Sequence, residues 1–492
     1  MLANRPDWCI SRQRSWGVPI PAVYCTGCRE AVLTTELTDR AAAVFAEHGA
    51  DAWYERDITE FVPPDLRCQK CGGAEFERER DILDVWFDSG SSHEGVLGVH
   101  PELRWPYSVY LEGSDQYRGW FHSSLLVGLA TRNAAPYRQV ITHGFVVDES
   151  GRKMSKSLGN TIEPEAIIKQ SGAEVLRLWV AMVDYQEEVR IGPEILARVV
   201  EAYRKIRNTL RILVANLYDF DPAADALPLD RLSEVDRYAL ARYGEVATRV
   251  LRAYDRYEFQ TVMHTLNNYL TVDLSAFYVD ISKDRLYTFR PGSDDRRSAQ
   301  TAMHTIVDGL TRLIAPILPI TADELWRTLP GAEADSVHLA DFPTGIDTLV
   351  DPELIDRWTR LLKLRDAVNG EIEKLRQDKV VGTSLEAAVT LTADGELARL
   401  LETYRDLLPM LFITSTVTLQ TCAPSGDIGD GTVYREPAGT VRIEVRRVDA
   451  AKCPRCWRWV RPAVAATDDA EAETEVCGRC ADALSETVAP VG

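Results

Sequence analysis

Apolar and polar positions alternate with different periods along the chain. After Gly192-Pro193, residues Ile195, Val199, Tyr203, Ile206, Leu210, Leu213 and Leu217 recur at steps of three and four. That spacing puts them on one stripe of a long helix. Similar patterns run through 233–256, 258–283 and 296–314, with breaks at Asp221-Pro222, Arg290-Pro291-Gly292 and Pro316/Pro319. Together they predict an all-α bundle of about 150 residues. A further helix is predicted over 354–378, with Leu361, Leu364, Val368, Ile372 and Leu375 on one face. Two strand-like runs come next, Ala387–Leu391 and Leu411–Leu419, separated by a helix.

The first 190 residues have a shorter rhythm. Residues 1–24 are rich in Trp, Arg and Pro and read as a loop entering a strand. Residues 25–71 begin and end in cysteine pairs, enclose a helical stretch near Asp39–His48, and read as a small inserted module. From Asp81, short apolar runs alternate with turns that carry glycine: Ile82–Phe87, Val109–Leu111, a helical run Trp120–Ala130, then Gln139–Val147. Strand, helix, strand in that order predicts a βαβ unit and a parallel sheet.

Composition narrows the class. A chain of 492 residues is too long for one core, because single cores stop growing beyond roughly 250–300 residues. Apolar residues at 45% and charged ones at 27% exclude a mostly disordered chain. Lys plus Arg is 56 and Asp plus Glu is 75, a net −19. That excludes a uniformly basic nucleic-acid coat, although local basic patches stay open. The one biased stretch, Asp468 to Glu475, is acidic. No apolar run approaches the ~20 residues of a membrane span. Met1 to Asp7 hold no signal-type apolar stretch, so a cytoplasmic location is expected.

Eight of the ten cysteines form Cys-x-x-Cys pairs: Cys25/Cys28, Cys68/Cys71, Cys453/Cys456 and Cys477/Cys480. Cys9 and Cys422 are left over. In a reducing compartment, pairs of pairs read as tetrahedral zinc sites and not as disulfides. A zinc ion is expected at each set. Four thiolates around Zn²⁺ carry a formal charge of about −2, and Lys452, Arg455, Arg458 and Arg479 are placed to offset it. Trp457 and Trp459 either pack on the knuckle or stack on a nucleotide.

The strongest local signal is Gly151-Arg-Lys-Met-Ser-Lys-Ser-Leu-Gly-Asn160, between an apolar run and Pro164. Lys153 and Lys156 sit in a short polar loop whose glycines let it bend. A loop at the carboxyl end of a parallel strand is where open α/β sheets bind ligands. Two mobile ammonium groups there suit a polyphosphate whose charge shifts during reaction.

Lys153-Met-Ser-Lys-Ser157 resembles the second motif of class I aminoacyl-tRNA synthetases. Neighbouring strings point to the isoleucine-specific branch: Trp8-Cys-Ile-Ser-Arg-Gln-Arg-Ser-Trp-Gly17, Asp84-Val-Trp-Phe-Asp-Ser-Gly90, Tyr110-Leu-Glu-Gly-Ser-Asp-Gln116, Arg118-Gly-Trp-Phe121 and Thr142-His-Gly-Phe145. The family's first motif, His-Ile-Gly-His, and its editing domain are absent from the sequence. The resemblance is therefore to the C-terminal portion of the enzyme.

The resemblance implies a multidomain chain. A partial Rossmann-like α/β catalytic domain would span 1–24 and 72–190, with the 25–71 zinc-knuckle module inserted. A helical anticodon-binding domain would take 191–345, a small α+β junction domain 346–450 and a zinc module 451–492. It implies that Lys156, assisted by Lys153, contacts ATP held with Mg²⁺. Glu112 and Gly113 would contact the isoleucyl-adenylate, Asp115 and Gln116 would border its nucleotide, and Trp86 and Trp120 would wall the side-chain pocket. Arg204, Lys205, Arg207 and Arg211 would follow a tRNA backbone, joined by Trp457 and Trp459. A solvated charged face is the other reading of that basic row. The implied partners are tRNA-Ile, ATP and isoleucine, with a monomer expected. A non-catalytic tRNA-binding protein and one subunit of a split synthetase, with its N-terminal half on another chain, are the alternatives.

Overall fold

The computed structural model describes residues 7–332, 334–422, 432–460 and 476–485. The acidic stretch at 468–475 lies outside them. Two compact units are present: Met1–Val146 with Tyr185–Val189, and Val147–Asp184 with Arg190–Gly492.

In the first unit, β1 (Val23–Cys25) pairs antiparallel with both β2 (Ala31–Val32) and β3 (Phe76–Arg78). Helix α1 (Thr35–His48) begins where the Thr34 hydroxyl accepts from the Leu37 N–H at 3.2 Å, a side-chain cap on an otherwise unpaired donor. The module has its own core: Val23, Leu37, Ala41, Ala52, Trp53 and Phe61 are at most 2% exposed. The sheet of this module reaches beyond 25–71 at both ends, to Val23 and Arg78.

The expected βαβ unit is formed by β4 (Tyr107–Gly113), α2 (Trp120–Arg132) and β5 (Tyr137–His143). The strands are parallel, with Tyr110 opposite Val140 and Glu112 opposite Thr142. Two sequence expectations are corrected here. Gln139–Val147 is not one strand: β5 stops at His143, and Gly144 donates its N–H to Tyr185 at 2.8 Å. A Cβ at Gly144 would lie 1.9 Å from the Glu187 carbonyl, so the chain passes too close there for any side chain. Ile82–Phe87 is not one extended run either. After Leu83, the Asp84 carboxylate accepts from the Trp86 N–H at 3.1 Å and starts a helix over Val85–Gly90.

The second unit is mainly helical. Helix α3 (Pro193–Ala215) carries the predicted stripe, with Val199, Ile206, Leu210 and Leu213 buried. After it come α4 (Glu234–Asp255), α5 (Phe259–Asn268), an eleven-residue π-helical run Tyr269–Val279, α6 (Asp280–Thr288) and α7 (Asp294–Ile314). The sequence pattern reads 258–283 as one helix. The π-helical run inside it is what periodicity alone does not separate. At the centre, Arg285 donates to both oxygens of Asp236 at 2.7 and 2.8 Å, and Tyr278 and Ser298 donate to the same carboxylate at 2.6 Å each. The pair is buried, and the carboxylate's remaining lone pairs are satisfied, as a buried charge requires.

Helix α8 (Pro352–Gln377) buries Leu361, Leu364, Val368 and Ile372. It packs on a four-stranded sheet of β6 (Ala387–Ala393), β7 (Thr416–Thr421), β8 (Thr432–Glu436) and β9 (Gly439–Arg447), in the order β7-β6-β9-β8. The expected strand Leu411–Leu419 is corrected at its start. Leu411 closes a short helix Leu408–Leu411, and Ile413 takes a positive φ of 54° before the strand begins at Thr416. Apolar positions extend through the run because the helix end buries Leu411 and Phe412 and the strand buries Leu419. Among the described residues no helix is long and apolar enough to cross a membrane.

Candidate active-site loop, cavity and cysteine centres

The lysine loop starts at Val147, whose backbone bridges to Lys153. Asp148 organises the next twelve residues. Its carboxylate accepts from the N–H groups of Ser150 (3.0 Å) and Arg152 (2.8 Å), from Arg152 Nε (3.0 Å) and, 12 residues along the chain, from Asn160 Nδ2 (2.9 Å). The Asn160 amide first, then the Arg152 N–H, hold this carboxyl down at about 2. Ser155 accepts from the Leu158 N–H at 3.3 Å and caps one turn, Lys156–Leu158, which ends on Gly159 at φ 64°. Only a residue without Cβ takes that backbone region at no steric cost. Lys153 and Lys156 are exposed, and neither has an ion-pair partner among the described residues. The adjacent Glu149 accepts from the Glu194 N–H at 3.0 Å, at the first turn of α3.

In the first unit, Glu112 is exposed near the end of β4. Gly113 leads into a tight turn, Ser114–Arg118, that carries Asp115 and Gln116. Gln116 braces this turn, because its Oε1 accepts from the Trp120 N–H at 3.0 Å and its Nε2 donates to Asp115 at 3.1 Å. Trp120 stacks on Tyr110 at 4.2 Å and donates to the Ser89 carbonyl at 2.9 Å. Trp86 is 42% exposed and lines a cavity of about 570 Å³ with Trp8, Arg12, Asp84, His122 and Leu126. Gly119 lets Trp86 in, since a Cβ there would lie 2.7 Å from the indole. Asp84 ties the wall together, accepting from Trp8 Nε1 at 3.1 Å and pairing with Arg12. Sequence reasoning does not place Trp8, Arg12, Asp84 or His122 in a site. The presence of Trp8, Arg12 and Asp84 inside the family-like strings is the signal that could have found three of them.

The eight paired cysteines gather into two clusters, Cys25/Cys28/Cys68/Cys71 and Cys453/Cys456/Cys477/Cys480, each with its sulfurs within 4.8 Å of one another. Sγ–Sγ distances of 3.5 Å (Cys25–Cys71, Cys28–Cys68) and 3.7 Å (Cys456–Cys477) are close to the edge of about 3.8 Å that ~2.3 Å zinc–sulfur bonds give a tetrahedron. At Gly73 a Cβ would come within 3.2 Å of the Cys25 sulfur, so a side chain there would crowd the cluster. The N–H groups of Cys71 and Lys70 lower the Cys68 thiol to about 7. Burial pushes Cys453 up, but the N–H groups of Cys456, Cys477 and Arg455 outweigh it and bring the thiol to about 6. Both sets fit a thiolate-ligated ion.

The cations near the second cluster do more than offset charge. Arg479 grips Asp284 of α6 at 2.6 and 2.8 Å, Arg455 donates to the Thr288 carbonyl, and Arg458 donates to the Thr414 carbonyl at 3.2 Å. Trp457 is 61% exposed beneath Lys452, and Trp459 lies under Arg447. A cavity of about 450 Å³ opens between this knuckle and α6, with Tyr287, Met410 and Trp457 in its wall.

On α3, Arg204, Arg207 and Arg211 fall within about 60° of one another at 100° per residue. Lys205 is turned away by about 100°, and it pairs with Glu201 at 2.8 Å. Arg207 pairs with Glu324 at 2.8 Å. Arg204 and Arg211 are exposed.

Comparison with known proteins fits this arrangement. Residues 1–192 match the family of tRNA synthetases class I (I, L, M and V), and residues 236–391 match the anticodon-binding domain of tRNA ligase. The chain thus carries a class I tRNA synthetase domain followed by an anticodon-binding domain. It is 47% identical over 99% of its length to an isoleucine--tRNA ligase of Moorella thermoacetica and 49% identical over 98% to one of Geobacter sulfurreducens. It covers 52% and 51% of those proteins, so the chain spans about half the length of the curated relatives it matches. The fold is similar to that of the LeuRS in a ternary LeuRS-tRNA-LeuAMS complex from Agrobacterium radiobacter K84, with a TM-score of 0.52 at 21% identity over 70% of this chain and 43% of that one.

Proposed function

We propose that this chain is the C-terminal part of an isoleucine--tRNA ligase, which activates isoleucine with ATP and transfers it to tRNA-Ile. Near-50% identity to such ligases over almost the whole chain carries the reading. In the activation step an isoleucine carboxylate oxygen attacks the α-phosphorus of ATP, and the bond to pyrophosphate breaks. A tRNA-terminal hydroxyl then attacks the acyl carbon, and AMP leaves. The carboxylate is already a nucleophile, so the protein's part is positioning and charge stabilisation.

Lys156, with Lys153, takes the charge that grows on the departing pyrophosphate of Mg²⁺-ATP. Glu112 pairs with the substrate ammonium. Gly113, Asp115 and Gln116 border the adenylate, and Trp86 and Trp120 give the apolar wall for the isoleucine side chain. The catalytic part takes 1–24 and 72–190, with the zinc module 25–71 inserted. The helical part from 191 to 345 reads the anticodon, and 346–450 joins it to the zinc module 451–492. Zinc at the two cysteine sets would hold their knuckles closed. Arg204, Lys205, Arg207 and Arg211, with Trp457 and Trp459, are the proposed tRNA contacts. The proposed setting is a monomer in the cytoplasm.

That reading is a split one, with catalysis needing an N-terminal half, and the half-length match also favours a second, in which the chain holds tRNA without catalysing. Isoleucine-dependent ATP–pyrophosphate exchange decides between them. The purified chain alone is expected to show none, and exchange is expected when the N-terminal half of a relative is added. Exchange by the chain alone would refute the split reading. No exchange in the mixture, with tRNA still bound, would favour the non-catalytic one.

A further inference from the structure

The lysine loop is closed by a single carboxamide. Asn160, at the loop's exit, donates from Nδ2 to the Asp148 carboxylate at 2.9 Å and to the Lys153 carbonyl at 3.3 Å. Its Oδ1 accepts from the Ser155 N–H at 2.9 Å. One side chain therefore touches the loop's entry, the backbone of one lysine, and the residue that caps the turn of the other. Asp148 is 8% exposed, whereas both lysines project into solvent. Asp148 keeps Ser150 and Arg152 as partners without Asn160, so loss of the carboxamide frees the loop and leaves its base in place.

We infer that Asn160 and Asp148 form a clasp that sets the direction of Lys153 and Lys156 toward a polyphosphate, without themselves touching it. They are positioning residues. The inference rests on the proposed function, in which this loop takes ATP phosphates. A flexible loop with two free ammonium groups spends most of its time misdirected, and ordering it beforehand strengthens its grip without a new contact. Three hydrogen bonds at one hinge, one charge-assisted and two to backbone, are enough to do this.

Tryptic cleavage after Arg152, Lys153 and Lys156, measured by mass spectrometry, reports loop opening directly. Asn160→Ala is expected to speed cleavage at these sites by about tenfold, the scale for losing such bonds, with an unchanged melting midpoint. Pyrophosphate should protect the wild-type loop, and about tenfold more of it should be needed for the variant. The exchanged pair Asp148→Asn with Asn160→Asp rebuilds a hydrogen bond between the two ends, and should recover part of both effects. A purely structural role would leave the pyrophosphate requirement unchanged in the single variant. Asn160→Ser serves in place of Asn160→Ala if the latter melts lower. Cleavage of the Asn160 variants at the wild-type rate would overturn the clasp. If pyrophosphate fails to slow cleavage of the wild-type loop, the phosphate reading falls instead, and the ligand-free rates still decide the clasp.

Discussion

The two cysteine clusters have the same ligands and opposite means of support. The first sits on a module with its own aromatic core, where Trp53 and Phe61 meet at 4.9 Å, and leaves Cys71 exposed. The second has all four cysteines buried, but among the described residues the partly buried apolar ones packed against it are only Val460 and Val476. It is held to the helical region by Arg455 and Arg479 on α6, and to the stretch just before β7 by Arg458 on the Thr414 carbonyl. One centre is built to stand alone, the other to be held in place. A module anchored through polar contacts to a helix has its position set by that helix, which suits a surface that must face a partner at a fixed angle.

Removing the metal gives the largest expected difference between them. Structural zinc contributes ~10–16 kcal/mol in zinc-finger peptides, so Cys453→Ser should release the second ion and unfold the knuckle. Metal analysis is expected to fall from two zinc per chain to one, and a wild-type value near one would remove the first site. Next comes Trp53→Ala, which should cost about 3–5 kcal/mol of the first module's stability. Hydrogen exchange would show the loss confined to that module, with the second knuckle still protected.

Arg479→Ala is a smaller change, about 1–3 kcal/mol for losing a partly buried charge-assisted pair. It should undock the knuckle with both metals retained, seen as faster exchange in α6. The same contact gives a pH dependence. Burial pushes the Asp284 carboxyl up, but Arg479 and Thr288 more than offset this and leave it below the usual range. A carboxyl lowered by folding stabilises above its unfolded value of about 3.9. Docking should therefore hold at neutral pH and weaken as pH falls below about 4, and weakening that begins near pH 6 would point instead to the knuckle's own Cys453 thiol. The least effect is expected from Lys70→Ala, which removes only an exposed pair with Glu30. Its melting midpoint should match the wild type.

Legibility in the sequence divides along the same line. The stripe from Ile195 to Leu217 announces α3 because one buried face imposes a period. The four cysteine pairs announce two clusters because ligand spacing is local. The strings around Lys153, Glu112 and Trp86 announce a family. The features that stay hidden depend on side chains meeting across the fold. Arg455, Arg458 and Arg479 look like counter-charges in sequence, and their carbonyl and carboxylate partners lie 44 to 195 residues away. Gly144 gives no sign of the Glu187 carbonyl that breaks the strand. Asn160 looks like a turn residue until its three contacts are seen.

The π-helical run Tyr269–Val279 has a bearing on how this bundle can vary. A wider turn shifts the rotational phase between the helices before and after it. That phase decides where Arg285 points, a little beyond the run, and so whether it meets Asp236. Removing one residue there would swing the guanidinium by about 100°, leaving two opposite charges buried apart. These 11 residues thus act as a rotary setting for the bundle's ionic centre, to which Tyr278 among them also donates, so their number matters as much as their side chains.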